Sequence, residues 1–208
     1  MNIASLLGIR VPVILASQSP RRRQLLAQIG LECSVIPSQV DEDALHNPSL
    51  HPSDYVMHLA LHKAKDVANL TAGDALIIGA DTTVVLQGDI LNKPRNAGEA
   101  YAMLERLSGN THTVYTGIAL VCGGKELTSC STANVRFRTL GDREIRAYIA
   151  TGSPMDKAGA YGIQDDFGAV FVEHIEGDYY TIVGLPLALL YTSIIQILGG
   201  GMDAHPPH

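Results

Sequence analysis

The chain has 208 residues, 46% of them hydrophobic and 17% charged, a balance that supports a sizeable core and excludes wholesale disorder. Its 15 Lys and Arg stand against 21 Asp and Glu, for a net charge of −6. That argues against a generic nucleic-acid groove, because sequence-independent binding depends on neutralising many phosphates. An anionic small substrate stays open if the few cations converge, and three of them stand side by side at Arg21–Arg23.

The opening MNIASLLGIRVPVILAS is apolar but has no basic flank, so it reads as the approach to a strand and not as a signal peptide. VPVILA (11–16) is a buried strand, and Ser19-Pro20 then offers an N-cap and a first-turn proline for a helix that runs to Ile29 and stops at Gly30. A second strand is expected over Cys33–Ile36. Val56, Leu59, Ala60, Ala64 and Val67 fall on one face of a helix starting near Pro52. Ala75–Ile78 and Thr83–Leu86 are strand-like, separated by Gly79-Ala80-Asp81-Thr82, and Gln87-Gly88-Asp89 is a turn. Asn96 and Glu99 form a capping pair for a helix to Leu107. Thr113–Cys122 and Glu126–Phe137 meet across Gly123-Gly124, a hairpin signal.

Asp142 is expected to cap a helix to Ala150, and Lys157–Asp166 is glycine-rich and loop-like. Ala169–Ile175 and Tyr179–Val183 suggest a further hairpin, and Pro186 opens the last helix. That helix belongs to the apolar run 183–198, which Pro186, Thr192, Ser193 and Gln196 interrupt. The run is also shorter than the ~20 residues that span a bilayer, so no membrane segment is expected. Strands alternating with helices, with antiparallel hairpins among them, make a mixed-sheet α/β protein and not a doubly wound parallel one. Residues 1–198 form one domain, and GGGMDAHPPH at the end is a tail expected to fray. The three cysteines, Cys33, Cys122 and Cys130, form no CxxC pair, which favours a reducing, cytoplasmic setting.

Four segments could carry chemistry. Ser17-Gln18-Ser19-Pro20-Arg21-Arg22 lies between a strand and a helix N-terminus, whose partial positive charge and free N–H groups attract anions. Cations in a first turn oppose the helix dipole, which favours a phosphate role over a purely structural one, although GxxxxGK[ST] is absent. Asp81 follows the apolar run Leu76-Ile77-Ile78, a poor place for a stabilising acid and a good one for a metal or a general base. A turn or cap acid is the plainer alternative. Asn92-Lys93-Pro94-Arg95 puts two cations beside a rigid proline, and a solvated turn explains it equally well. In 156–164, small residues allow close backbone approach and Gln164 offers both a donor and an acceptor, although glycine-rich loops are also common connectors. His58 and His62 have metal-capable spacing, but without HExxH or a third ligand zinc is not expected.

Taken together, LASQSPRRRQLL (15–26), VDED (40–43), GADTTVVLQGDILNKP (79–94), LSGNTHTVYTGIAL (107–120), MDKAGAYGIQ (155–164) and GDYYTIVGLPL (177–187) resemble the Maf family of nucleoside triphosphate pyrophosphatases. The resemblance runs from about Val13 to Leu190 and is greatest to the subgroup acting on dTTP and UTP, since DKAGAYGIQ stands intact. It departs from the pattern at Ser153, where most members carry an acid before Pro154, and at Asp165-Asp166-Phe167, where the usual residues are smaller.

The resemblance implies an elongated mixed sheet with flanking helices, in two lobes around a cleft, similar to inosine triphosphate pyrophosphatases. It implies hydrolysis between the α- and β-phosphates, with Asp81 as proton acceptor and Glu42 with Asp81 as ligands of Mg²⁺ or Mn²⁺. Ser17, Arg21, Arg22, Lys63 and Lys93 would bind phosphates. Arg21, Thr82 and Gln164 occupy positions tied to substrate choice. The implied partner is the nucleotide itself, with no nucleic acid or membrane, and the resemblance is compatible with a homodimer. The competing readings are a 7-methyl-GTP pyrophosphatase of the same family and a non-catalytic nucleotide-binding regulator of division.

Overall fold

The computed structural model describes residues 3–42, 44–45, 47, 49–164 and 166–199. The order of elements is α1 (Ile3–Leu6), β1 (Val13–Leu15), α2 (Pro20–Gln28), β2 (Ser34–Val35), α3 (Pro52–Leu70), β3 (Leu76–Leu86), β4 (Asp89–Leu91), α4 (Ala97–Leu107), β5 (Thr111–Cys122), β6 (Lys125–Phe137), α5 (Asp142–Ala150), β7 (Val172–Gly177), α6 (Tyr179–Val183) and α7 (Leu187–Ile197). One sheet has the strand order β2-β1-β3-β5-β6-β7, with β4 also paired to β3. β1 is parallel to β2 and β3, while β4 on β3 and β7 on β6 are antiparallel. The mixed sheet flanked by helices is therefore as expected. Of the tail only Gly199 is among the described residues.

The chain divides into two compact units. The first holds the residues up to Asp81, Gly117–Cys130 and everything from Gly184 on, and the second holds Thr82–Thr116 and Ser131–Val183. In the first, a core of Ile14, Ala16, Ala60, Ala64, Val67, Ile77 and Ala119 joins α3 to the strands. The helix comes unusually close. A Cβ on Gly79 would collide with the Ala60 carbonyl oxygen, and one on Gly117 would lie 2.5 Å from the carbonyl carbon and oxygen of Val56. Gly79 is thus a packing glycine, not the start of a turn. The expected break at 79–82 does not occur, and β3 runs unbroken through Asp81.

The second unit is built on an aromatic core in which Phe137, Tyr148, Tyr161 and Phe171 pack with Leu104, Leu107 and Val135. His112 lies inside it, edge-on to Phe137 and Tyr161, with Nε2 2.8 Å from the Tyr161 hydroxyl. Its Nδ1 is buried without a hydrogen-bond partner among the described residues.

Two local expectations are corrected. Tyr179–Val183 is a helical turn and not a strand, because the Asp178 carboxylate accepts the Thr181 N–H at 2.8 Å and so caps it. β7 begins only at Val172 and pairs with β6. Gly141, not Asp142, is the N-cap of α5, and its N–H donates to Glu144 at 3.0 Å, while Asp142 is used by Arg146 and Tyr101.

Two outcomes follow from this packing. Gly117→Ala must push α3 off β5, so thermal unfolding should show a loss of roughly 1–3 kcal/mol or more, as overpacked cores do. An unchanged midpoint would mean that the helix approaches less closely. Burial pulls the His112 imidazole down to about 4 from 6.5. Between those values the unfolded chain takes up a proton that the folded chain refuses, so the stabilising contribution is complete above 6.5 and is lost as pH falls towards 4. At 1.36 kcal/mol per unit this is about 3 kcal/mol. Urea unfolding at acidic and neutral pH should therefore show a steeper acid loss in the native chain than in His112→Gln, and parallel curves would contradict it.

Candidate active site

The first unit assembles most of the residues singled out in the sequence. α3 buries one stripe, Val56, Leu59, Ala60, Lys63, Ala64 and Val67, and Lys63 is the one charged residue among these six. The same close approach at Gly79 brings Lys63 to Asp81, two residues along β3 and on the same face of the strand. Its ammonium donates to Asp81 Oδ1 at 2.6 Å and pairs with Glu42 Oε1 at 2.7 Å. Lys63 and Asp81 are 8% and 7% exposed, so this pair lies out of water, whereas the Glu42 side chain retains 41%. Glu42 is steadied from the chain before it. Asp66, one turn beyond Lys63, accepts from the Ser38 hydroxyl at 3.0 Å and the Gln39 N–H at 2.7 Å. Asp43, the last residue of VDED, lies outside the described residues.

At the start of α2, Ser17 and not Ser19 supplies the local oxygen, since Ser17 Oγ accepts the Ser19 N–H at 3.2 Å and Ser19 makes no side-chain cap. Arg22 folds back over this turn. Its Nη1 donates to Ser17 Oγ at 3.0 Å and its Nε to the Gly184 carbonyl at 2.8 Å. Burial lowers the Arg22 guanidinium below its ordinary value, with Asp81 and Glu42 opposing that and Arg21 adding to it. Burial likewise raises the Asp81 carboxyl, against the pull of Lys63 and Arg22 and with help from Glu42. Ser17, Arg22, Glu42, Lys63 and Asp81 thus form one electrostatic cluster, with Arg21 half-buried beside it. The cluster can hold a proton on a buried carboxylate and offer cations to an anion.

Thr82, Lys93 and Gln164 belong to the second unit. Thr82 follows Asp81 in β3, so its side chain points to the opposite face of that strand. There its hydroxyl is 2.9 Å from Thr116 Oγ1, which donates to the Thr181 carbonyl at 2.7 Å. Thr116 has a single hydrogen and spends it on that carbonyl, so the Thr82 hydroxyl is the donor to Thr116. Lys93 is exposed, and its neighbour Asn92 ties two of the candidate segments together by accepting the Gly159 N–H at 3.3 Å. Gln164 is half-buried. It follows a segment pinned by two phenols, Tyr161 on His112 and the Tyr148 hydroxyl accepting the Gly162 N–H at 3.2 Å.

Sequence reasoning missed several contributors. Gly184, the contacts of Thr116 with the Thr181 carbonyl and of Thr181 with the Asp178 carboxylate, and His112 have no role in the sequence reading, although all stand inside the quoted motifs. The available signal was a set of polar residues, His112, Thr116 and Thr181, set within apolar strand and helix patterns.

The residues also bear on a metal. Among the described residues no three His, Cys, Asp or Glu side chains converge. Glu42 and Asp81 do supply carboxylate oxygens that meet at one cationic point, where Lys63 stands. Two carboxylates plus substrate oxygens are what magnesium takes, so the donor set fits that ion. Among the described residues no helix is long and apolar enough to cross a membrane.

Comparison with known proteins gives this geometry its relatives. A protein of Salinibacter ruber named dTTP/UTP pyrophosphatase is 49% identical over 191 residues, covering 91% of this chain and 92% of its own. A Bacillus cereus protein of the same name is 48% identical, covering 88% and 94%. A solved structure named nucleoside-triphosphatase / dITP/XTP pyrophosphatase, from Mycobacterium abscessus, aligns with 62% of this chain and 75% of its own. It does so at 15% identity and a TM-score of 0.37, a likeness too loose for inference. The family described as Maf-like protein matches residues 12–197. The chain belongs to the Maf-like protein family.

Proposed function

We propose that this chain is a nucleoside triphosphate pyrophosphatase that hydrolyses dTTP and UTP to the nucleoside monophosphate and pyrophosphate. The observation that carries the reading is the 49% identity, over nine-tenths of both chains, to a protein of that name. The buried cluster around Asp81 is its chemical counterpart. A triphosphate needs cations on the departing pyrophosphate and a base aimed at water. Asp81 serves as that base, and burial helps by raising its carboxyl towards the pH at which it must work.

Ser17, Arg21 and Arg22 bind phosphate oxygens at the start of α2, where the N–H groups of the first turn add their own attraction. Lys63 and Lys93 supply further positive charge. Glu42 and Asp81 are the residues that would hold a magnesium or manganese ion, whose contribution is to neutralise charge on the phosphates. The half-buried, unbridged cysteines are in keeping with a reducing cytoplasmic setting. The homodimer of the resemblance belongs to this reading as well.

For the base, uracil and thymine present O4 as acceptor beside N3–H as donor, and a side-chain amide such as that of Gln164 matches both. Thr82 and Arg21 are assigned to the same choice of substrate.

Asp81→Asn keeps the shape of the side chain but cannot take a proton. Pyrophosphate release from UTP should fall at least ~10²-fold while nucleotide binding persists. Near-normal turnover would remove Asp81 as the base, and an unmodified chain that released no pyrophosphate from either UTP or dTTP would end the functional reading. Gln164→Glu should erode the preference for UTP and dTTP over 7-methyl-GTP, because the carboxylate repels O4 and attracts a cationic ring. Competition assays in which both chains rank these nucleotides alike would remove Gln164 from base recognition.

A further inference from the structure

Lys63 holds the carboxylates that a divalent ion would need. Its ammonium sits 2.6 Å from Asp81 Oδ1 and 2.7 Å from Glu42 Oε1, in a position where an oxygen of each acid meets one positive charge. The carboxylates are also already offset by cations. Among the described residues, Lys63 and Arg22 act on Asp81 together with Glu42, and Arg21 acts on Arg22. Two negative groups therefore face three positive ones. A divalent ion approaching this cluster meets a like charge at the point where its ligands converge.

A triphosphate changes both conditions. It brings several negative charges, and its oxygens give the ammonium an alternative partner, which a lysine on a flexible four-carbon stem can reach. We propose that Lys63 is the built-in counter-ion of the metal site, which keeps divalent cations off Glu42 and Asp81 until a nucleotide triphosphate arrives, so that ion and substrate bind as a coupled pair. This rests on the two-carboxylate metal reading above. It adds to that reading a positioning role for Lys63 in the free protein, distinct from any contact with phosphate. By linkage the coupling is reciprocal, so the nucleotide tightens the ion by the factor by which the ion tightens the nucleotide.

The test measures Mn²⁺ bound to the protein, by water proton relaxation enhancement, in the absence of turnover. Without nucleotide, Lys63→Met should bind one Mn²⁺ at least ~10-fold more tightly than the unmodified chain, and adding Asp81→Asn should cancel the gain. In the unmodified chain, Mn²⁺ should be weak alone and at least ~10-fold tighter with α,β-methylene-UTP, after correction for ion held by the analogue itself. Lys63→Met that binds no more tightly than the unmodified chain, while the analogue complex takes up the ion, overturns the counter-ion role and leaves the metal reading standing. Equal affinity with and without the analogue overturns the coupling, even if the variant does not fold. Failure of every form to hold Mn²⁺, analogue complex included, removes the metal reading and the proposal together.

Discussion

The close approach of α3 to the sheet sets everything else in the first unit. Glycine at 79 and 117 lets helix backbone lie where a Cβ would stand, and the collision with Ala60 and Val56 shows how little space remains. Close packing of this kind leaves no room for water between helix and strand. A lysine on the helix face that packs there must then find its partners in the protein. Lys63 finds Asp81 on the neighbouring strand and Glu42 on the preceding loop. One packing constraint thereby places a cation, a buried acid and a half-exposed acid within a single hydrogen-bonded group.

Such a group is expensive to build. Desolvating two charges offsets most of the attraction between them, and losing one partner of a buried pair costs about 3–5 kcal/mol. A core designed for stability alone would fill the same space with apolar side chains. Here opposing influences meet on one carboxylate, with burial raising Asp81 and two cations pulling it down. That balance is what lets a change in the surrounding charge alter its readiness to take a proton. Arg22 shares the arrangement, since its guanidinium is held between the Ser17 hydroxyl and the Gly184 carbonyl and its charge acts on Asp81.

The second unit solves a different problem, that of fixing a glycine-rich segment. Gly159 and Ala160 both take left-handed backbone angles, with φ of 67° and 60°. For the alanine that conformation costs roughly 1–2 kcal/mol. Two phenols hold the segment on either side of the next turn, Tyr161 through His112 and Tyr148 through the Gly162 N–H. Gly168 has no room for a side chain either, since a Cβ there would lie 2.6 Å from the Gly162 carbonyl oxygen and 2.7 Å from the Tyr148 hydroxyl. Gln164 is therefore preceded by backbone that has few ways to relax.

What the sequence determined by itself was largely local. Helix faces, the Gly123-Gly124 hairpin and the Asn96 cap were legible because their signals lie within a few residues, in apolar periodicity or in the chemistry of one turn. The ordered motifs also singled out Ser17, Arg22, Glu42, Lys63 and Asp81, which the fold brings into one cluster, since a resemblance needs only order and spacing. Tertiary structure decided the rest. Gly79-Ala80-Asp81-Thr82 looks like a turn until α3 packs on Gly79, and Tyr179–Val183 looks like a strand until Asp178 caps it. The bond from Arg22 to Gly184 spans 162 positions, and that from Lys63 to Asp81 spans 18. No local pattern encodes such pairings. A lysine in an apolar stripe signals only that a partner must exist, because a buried charge cannot stand alone; which acid answers it depends on how closely helix and strand can approach.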